Sequence, residues 1–325
     1  MNPAVLAALS IALALIPIQS STDPKPDTPY PIGETLLYEA RLWKGDEILG
    51  GKIGEVKLTC EETTLASKSR IRFSATASGS AFGYKVVHEM ESILDPETGR
   101  PIVHTSEQKG TAISLKRIDF SPTAAEYWKM KHCKDYGGPC KDDHAAYGDP
   151  TNGHCEDRHC GRMEHRHWSL RDTIPVTGPT YDPLSAVLFG RRSELSLQKR
   201  SLRVVTLVDD RLWEITIRVQ DGGEVEVPAG IFDCLLLHLD PKILNPKPWK
   251  KDEKFEGPFG LQGDIRVWLD KEKLRPIKVR GRVPLGLIMD AEVRLTEIRQ
   301  ASSGGGDVKK EAPEADKTPG RGSKP

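Results

Sequence analysis

Residues 211–220, RLWEITIRVQ, alternate apolar and polar side chains with a period of two. In an extended strand every second side chain points to the same face, so this stretch would have one apolar and one polar face. The apolar face would be formed by Trp213, Ile215, Ile217 and Val219. One dry and one solvated face is typical of antiparallel sheets, so residues 211–220 indicate a strand of such a sheet.

The same alternation recurs along the chain in ETLLYEARLW (34–43), GKIGEVKLTC (51–60), RIRFSATA (70–77), DIRVWLD (264–270) and AEVRLTEIR (291–299). Turn-forming sequences separate such stretches, namely DPETG (95–99), DGG (221–223) and PAG (228–230). We expect roughly ten to thirteen strands from this spacing. The sequence therefore predicts an all-β fold, with a large antiparallel curved sheet or an open β-barrel.

One short helix is predicted within this β pattern, together with one Cys/His-rich inserted loop. Asp182 is a favourable helix N-cap, and Pro183 is a favourable first helical residue. Ser185 would face Asp182 or solvent, and Gly190 could end the helix. The apolar stripe that packs on the sheet would consist of Leu184, Val187 and Leu188.

The charge composition excludes one class of function. The 325 residues contain 47 Lys plus Arg and 47 Asp plus Glu, which gives a formal net charge of zero. A dedicated nucleic-acid-binding protein would carry a clustered basic excess. The sequence also contains no Walker loop, no GxGxxG after a strand, no GxSxG and no HExxH. We therefore predict a non-enzymatic protein that binds no nucleic acid and holds no cofactor, unless the Cys/His-rich segment binds zinc.

The two ends of the chain differ from the β pattern. The apolar run from Pro3 to Ile18 predicts a signal peptide over residues 1–20, because it is too short to span a bilayer. An uncleaved anchor or a buried helix is the alternative interpretation. Residues 21–32 are predicted to be a Pro-rich linker, residues 33–298 a single β domain, and residues 299–325 a disordered tail. We expect an exported protein, periplasmic or secreted, that is not an integral membrane protein.

A segment rich in cysteine and histidine interrupts the β pattern at residues 127–168. Its candidate disulfide or metal-binding residues are Cys133, Cys140, Cys155, Cys160, His132, His144, His154, His159, His165 and His167. In an oxidising compartment the cysteines would form disulfides. Thiolate and imidazole are also the ligands of zinc, although no standard finger spacing is present. Histidines alone could bind copper, zinc or nickel beside oxidised cysteines, and a solvated loop without a site is the remaining interpretation.

Two further cysteines, Cys60 and Cys234, lie in predicted strands outside that segment. Each follows the apolar alternation of its strand, which favours a buried free thiol. A bond between them would require adjacent strands.

Four segments carry a resemblance to a known family: residues 33–40 (GETLLYEA), residues 182–192 (DPLS running to RR), residues 227–234 (VPAGIFDC) and residues 267–279 (VWLD followed by RPIKV). In their order and spacing they resemble the bacterial domain-of-unknown-function 3108 family. The resemblance implies an exported, mostly antiparallel β protein and carries no activity with it. The sequence departs from the family pattern at the Cys/His-rich segment.

Large aromatic side chains on the predicted strands are the candidates for a ligand-binding face, namely Tyr38, Phe73, Tyr84, Trp213 and Trp268. A packed core is the alternative use of these side chains. A curved sheet that one helix covers would leave a concave cleft for an apolar ligand. We therefore expect an exported, non-enzymatic envelope protein that binds an apolar or amphipathic molecule such as a lipid, or an envelope protein partner. The alternative is a periplasmic zinc-type metal-binding module centred on the Cys/His-rich segment.

Overall fold

The computed structural model describes residues 30–45, 47–49, 51–81, 84–110, 114–132, 166–193, 195–198, 200–247, 253–257, 260–283 and 289–300. These residues form sixteen strands and one helix, α1, which spans Pro183–Arg192. The strands are β1 (Glu34–Lys44), β2 (Glu47–Ile48), β3 (Gly54–Leu65), β4 (Lys68–Ala81), β5 (Tyr84–Leu94), β6 (Pro101–Gly110), β7 (Ser114–Phe120), β8 (Ala124–His132), β9 (Arg166–Pro175), β10 (Thr180–Tyr181), β11 (Ser201–Val208), β12 (Arg211–Val227), β13 (Gly230–Ile243), β14 (Gln262–Asp270), β15 (Pro276–Val283) and β16 (Met289–Gln300).

All sixteen strands belong to one curved sheet. Its order is β10-β11-β12-β13-β14-β15-β16-β1-β3-β4-β5-β6-β7-β8-β9, and β2 pairs with β1. Neighbouring strands are antiparallel, except that the two-residue β10 runs parallel to β11. The path ends at β9 and β10, so the described strands do not close into a barrel through backbone hydrogen bonds. The predicted all-β fold, with a large curved antiparallel sheet and one short helix, is confirmed.

The sheet has more strands than the sequence pattern indicated. The strands β2 and β10 have two residues each, which is too short for any alternation to be visible. The Cys/His-rich segment is also shorter than residues 127–168. Its flanks are paired strand, because β8 continues to His132 and β9 begins at Arg166.

One predicted turn is wrong, because the sequence DGG at 221–223 lies inside the long strand β12. The pairing of β12 with β13 shifts register between Asp221 and Gly223, which marks a β-bulge. A Cβ atom on Gly222 would lie 2.9 Å from the Cys234 carbonyl oxygen, and Gly223 has a φ of +61°. The glycines therefore allow the strand to bulge and bend rather than to reverse.

The helix α1 begins where the sequence predicts it. The Asp182 carboxylate accepts hydrogen bonds from the backbone amides of Leu184 and Ser185, and the Ser185 side chain accepts one from the Asp182 amide. This reciprocal capping box fixes the first turn of the helix. No helix in the described part of the chain combines the length and the apolar character needed to cross a membrane.

The helix lies on the inner face of the curved sheet and completes the core. Leu184 and Leu188 belong to a buried cluster that also contains Tyr38 and Phe73. Cys60 and Cys234 are buried in the same cluster as free thiols, as the sequence predicts. The other side of the helix faces a second buried cluster, centred on β12 to β14.

A buried ion network joins three distant segments of the chain. The Glu34 carboxylate lies 2.7 Å from the Arg191 guanidinium and 2.6 Å from the Arg275 guanidinium. The Tyr38 hydroxyl donates a 2.9 Å hydrogen bond to the Pro276 carbonyl beside it. Strand β1, the end of α1 and the β14–β15 connection are thereby held together.

Side chains bring the two ends of the sheet towards each other. Ile118 and Tyr127, on β7 and β8, are buried in one cluster with Leu207 of β11. The Lys116 ammonium of β7 lies 2.8 Å from both carboxylate oxygens of Asp209, in the turn between β11 and β12. The space beside these contacts is partly enclosed.

Candidate functional site

A cavity of about 300 Å³ lies inside the curve of the sheet, where its two ends approach each other. One wall is the inner face of β5, β6 and β7, and the other includes the end of β11 and the turn that follows it. The polar lining residues are His88, His104, Ser106, Gln108, Ser114, Lys116, Tyr127, Asp209 and Glu256. The apolar lining residues are Ala77, Val86, Met90, Ile118, Pro183, Leu207 and Val208.

The strand register explains why polar side chains gather in this cavity. His88 of β5 lies opposite Gln108 of β6, and Gln108 lies opposite Ser114 of β7. In the neighbouring row, Ser106 lies opposite Lys116. Side chains opposite one another on antiparallel strands share a face, so the cavity wall offers a continuous set of hydrogen-bonding groups.

Apolar side chains complete the lining of the same cavity. Met90 and Ile118 are buried on β5 and β7, and Leu207 is fully buried on the opposite wall. The cavity therefore offers polar groups and apolar contact area to one occupant. This combination is typical of small-molecule sites, and its size is at the lower end of their range of about 300–1,000 Å³.

His104 is held in place by a buried polar cluster at the start of α1. Its Nδ1 atom lies 3.0 Å from the Ser92 hydroxyl and 3.1 Å from the Asp182 carboxylate. The Ser92 hydroxyl donates a 2.7 Å hydrogen bond to the same carboxylate oxygen. The capping aspartate of the helix thus also fixes the orientation of the His104 ring.

This Ser–His–Asp cluster lacks the geometry of a catalytic triad. In a triad the serine and the aspartate contact opposite ring nitrogens of the histidine. Here Ser92 and Asp182 both contact Nδ1 of His104, and Ser92 and Asp182 are fully buried. Burial alone would raise the pKa of the Asp182 carboxyl group. The interactions with His104 and the hydrogen bonds from Ser185 outweigh this effect and lower the pKa of Asp182 to about 2. The carboxylate stays ionised and acts as a structural acceptor.

His88 is a neutral hydrogen-bonding group on the cavity wall. Its Nε2 atom lies 2.8 Å from the Ser106 hydroxyl. Burial, followed by the nearby positive charge of Lys116, lowers the pKa of His88 to about 4. At neutral pH the ring is therefore uncharged and can both donate and accept hydrogen bonds.

Lys116 and Asp209 supply a charge pair at the edge of the cavity. Both side chains remain partly exposed, at 30% and 42% of their surface. Asp209 has a φ of +54°, a conformation that glycine adopts more easily than other residues. Aspartate tolerates it better than most side chains, and its position in the turn points the carboxylate to Lys116.

The predicted ligand-binding aromatic residues lie elsewhere. Tyr38, Phe73 and Trp213 are buried in the core clusters, and Trp213 packs edge-on against Phe255 at 5.5 Å between ring centroids. Trp268 is partly buried, with the Lys278 ammonium 4.1 Å from its ring centroid. None of these aromatic side chains lines the cavity, and the side chain of Tyr84 lies outside the described residues.

The Cys/His-rich segment is largely outside the described residues. His132 is the last residue of β8, opposite Arg166, and His167 of β9 lies opposite Lys131. These two candidate ligands are thus brought to neighbouring strands, although their side chains are not described. The candidates outside the described residues are Cys133, Cys140, Cys155, Cys160, His144, His154, His159 and His165. Among the described residues, no group of three or more His, Cys, Asp and Glu side chains could hold a metal ion.

The sequence pattern alone does not mark the cavity residues as a site. His88, Ser106, Gln108 and Lys116 occupy alternate positions of three strands, where a sequence suggests a polar outer face. In the paired strands these side chains lie together on the inner face of the sheet, towards the cavity. The available signal was that β5 to β7 carry polar residues on both faces, which is unusual for a sheet with one buried face.

Comparisons with known proteins give a fold likeness and no family. No family model matches the chain, and no curated protein matches it. One similar solved structure is the beta-barrel-like protein of domain of unknown function DUF1849 from Brucella abortus. The likeness has a TM-score of 0.46 and 10% sequence identity, and it covers 84% of this chain and 99% of that chain.

Proposed function

We propose that this protein binds a small amphipathic molecule in the cavity between β5–β7 and the β11–β12 turn, and that it does so without catalysing a reaction. The observation that carries the proposal is the cavity itself, which combines polar groups on β5–β7 with buried apolar side chains. The aromatic side chains Tyr38, Phe73 and Trp213 are already buried in the core clusters and do not line this cavity.

The proposal includes export to the cell envelope. The apolar run from Pro3 to Ile18 supports it, as does the resemblance to the domain-of-unknown-function 3108 family. If residues 1–20 are a signal peptide, the intact mass of protein recovered from the periplasm will correspond to a chain that begins near residue 21. A mass that includes residues 1–20 would contradict this part of the proposal.

Binding is tested by filling the cavity. Ala77 of β4 lines it, whereas the adjacent Thr76 is exposed on the other face of the same strand. With the neutral fluorescent amphipath N-phenyl-1-naphthylamine as the probe, we expect Ala77→Phe to weaken binding by about tenfold or more, because the ring occupies the ligand space. Thr76→Phe is the matched control and should bind the probe as the unmodified protein does.

Two results would contradict the cavity as the binding site. The first is unchanged binding by Ala77→Phe in a protein whose circular dichroism spectrum shows the native fold. The second is an equal loss of binding in both variants. Absence of any probe binding to the unmodified protein would contradict the proposed function itself.

A metal-binding function of the Cys/His-rich segment is the second candidate. It rests on the concentration of four cysteines and six histidines within residues 127–168, and on the pairing of the two strands that flank the segment. Protein purified from an oxidising compartment without reductant should retain zinc if thiolates bind it. An intact mass in which all four cysteines are oxidised, with no metal after native ionisation, would favour a disulfide-linked segment instead.

A further inference from the structure

We infer that the ligand of the proposed function is an amphipathic anion, whose carboxylate, sulfonate or phosphate oxygens bind between Lys116 and Lys129. The inference rests on the proposed function, because it names the chemistry of the molecule that the cavity would take. It is carried by a pair of lysines on adjacent strands and by the carboxylate that neutralises only one of them.

Lys116 of β7 lines the cavity, and Lys129 of β8 lies directly opposite it, just outside the lining. They share a face of the sheet with Ile118 and Tyr127, the next opposed pair, which are buried in the core. Opposed residues on antiparallel strands have Cβ atoms about 4.5–5.5 Å apart, so an anion at this edge of the cavity could contact both lysine side chains. Like charges at this separation destabilise the strand pair unless an anion lies between them.

The cavity lining contains two carboxylates, Asp209 and Glu256, and only Asp209 contacts a lysine there, because Glu256 accepts a hydrogen bond from Gln262. Asp209 contacts the Lys116 ammonium with both carboxylate oxygens. Asp210, the next residue of the turn, is paired with Lys247. Lys129 is half-buried, and among the described residues no carboxylate lies within ion-pair distance of it. An anion at this place would therefore gain attraction from both lysines.

Asp209 occupies the place that a ligand anion would take. Its carboxylate comes from a turn residue at φ +54°, and its side chain is 42% exposed. A ligand anion can therefore replace it at Lys116, while the apolar cluster around Leu207 continues to join the two ends of the sheet. A ligand carboxylate that replaces it exchanges one charge-assisted contact for another and adds a contact to Lys129.

Neutral hydrogen-bonding groups lie next to the lysines. Ser114 is two residues from Lys116 on the same face, and its buried hydroxyl oxygen has no hydrogen-bond partner among the described residues. Tyr127 also lines the cavity, and burial raises the pKa of its hydroxyl, so the hydroxyl stays protonated. Protonated hydroxyls can donate to anion oxygens, whereas the apolar part of the ligand would contact Met90 and Leu207.

The experiment compares two probes that share aromatic rings and differ in charge. 8-Anilinonaphthalene-1-sulfonate is an anion, and N-phenyl-1-naphthylamine is neutral. We expect Lys116→Met and Lys129→Met each to weaken binding of the sulfonate about tenfold more than they weaken binding of the neutral probe. Lys109→Met is the matched control, because Lys109 pairs with Glu89 and Glu107 on the exposed, opposite face of the sheet.

Asp209→Asn tests the exchange of carboxylates. This variant keeps a side chain that tolerates the left-handed turn and removes the competing charge, so the sulfonate should bind about three- to tenfold more tightly. Weaker sulfonate binding by this variant would overturn the inference. So would equal losses of both probes in the lysine variants, or sulfonate binding that the lysine variants leave unchanged.

The two proposals fail in different ways. If both probes bind the unmodified protein and Ala77→Phe removes both, but the lysine variants behave like Lys109→Met, the cavity is a binding site and the anion inference is overturned. If neither probe binds the unmodified protein, the proposed function and the inference are both overturned.

Discussion

The partly buried ring of His88 should make the folded protein less stable at acid pH. Burial places its ring where a proton is unfavourable, and the charges of Lys116 and His104 add to the effect while Asp209 opposes it. Its pKa of about 4 in the folded protein lies below the ordinary histidine value of about 6.5 in the unfolded chain. Between these values the unfolded chain binds the proton more tightly, so stability falls as the pH falls.

We therefore expect His88→Gln to remove part of the acid sensitivity of the protein. Glutamine keeps a hydrogen-bonding group near Ser106 and does not titrate. Between pH 7 and pH 4.5 the free energy of unfolding of the unmodified protein should fall by about 2–2.5 kcal/mol more than that of the variant. Urea unfolding at a series of pH values measures this difference. Parallel pH profiles for the two proteins would show that His88 does not titrate with a lowered pKa.

Residue-level prediction from the sequence succeeds where the cause is local. Asp182 and Pro183 begin the helix because the capping interaction involves only the next few residues. The role of His104 depends on contacts with Ser92 and Asp182, which are 12 and 78 positions away along the chain and meet only through the register and the position of α1. Periodicity assigns a side chain to a face, but it does not show what lies opposite.

At the scale of the secondary-structure elements, substitution of Gly54 and of Gly190 by alanine should change the stability in opposite directions. Gly54 and Gly79 are paired across β3 and β4, and a Cβ atom on Gly54 would lie 2.5 Å from the Ser78 carbonyl oxygen. Gly190 lies within α1, and a Cβ atom there would meet nothing within 4 Å. We expect Gly54→Ala to destabilise the protein by about 1–3 kcal/mol, because backbone must move. Gly190→Ala should stabilise it by about 0.5–1 kcal/mol, because alanine favours the helix.

Chemical denaturation of the two variants beside the unmodified protein tests this pair. The two shifts in midpoint should have opposite signs at unchanged slope. A destabilised Gly190→Ala would mean that the inner face of the sheet leaves less room around α1 than the structure shows. A neutral Gly54→Ala would mean that β3 and β4 separate easily at this point.

The bulge in β12 shows why elements are harder to predict than their periodicity suggests. An Asp-Gly-Gly sequence is a strong turn signal in isolation. Here the apolar alternation resumes beyond it, with Val225 and Val227 buried, and the strand continues to pair with β13. The bulge lets β12 follow the curvature of the sheet, which is a property of the whole sheet and not of residues 221–223.

At the scale of the whole molecule, a few contacts replace the closure that backbone pairing would give. The pair Lys116–Asp209 and the apolar cluster around Leu207 connect the β7–β9 end to the β11–β12 end. The cavity exists because this connection is made by side chains, which leave space that paired strands would fill. The alternation of apolar residues predicted a curved sheet, but it could not predict where the two ends approach each other.

Three segments that are far apart in the sequence meet at the same scale. Residues 33–40, 182–192 and 267–279 supply Glu34, Arg191 and Arg275, which form the buried ion network beneath α1. Charged residues in these segments therefore hold distant parts of the fold together. Their chemistry is consistent with a structural role, and they lie outside the cavity lining.

The buried network of Glu34, Arg191 and Arg275 should contribute strongly to the stability of the fold. Glu34 and Arg191 expose only 3% and 5% of their side chains, so Glu34→Gln leaves two guanidinium groups without their shared counter-charge. Removing one partner of a buried ion pair typically costs about 3–5 kcal/mol, and we expect a loss of unfolding free energy of that size. Glu297→Gln is the matched control, because Glu297 pairs with Arg299 on the surface and this substitution should leave the stability unchanged.

A double variant tests whether the two residues act together. Adding Arg191→Met to Glu34→Gln removes one uncompensated charge and should recover part of the lost stability, since interacting sites are not additive. If Glu34→Gln is as stable as Glu297→Gln, the network does not hold β1, α1 and the β14–β15 connection together. If Arg191→Met deepens the loss by its full single-variant effect, the two residues stabilise the fold independently.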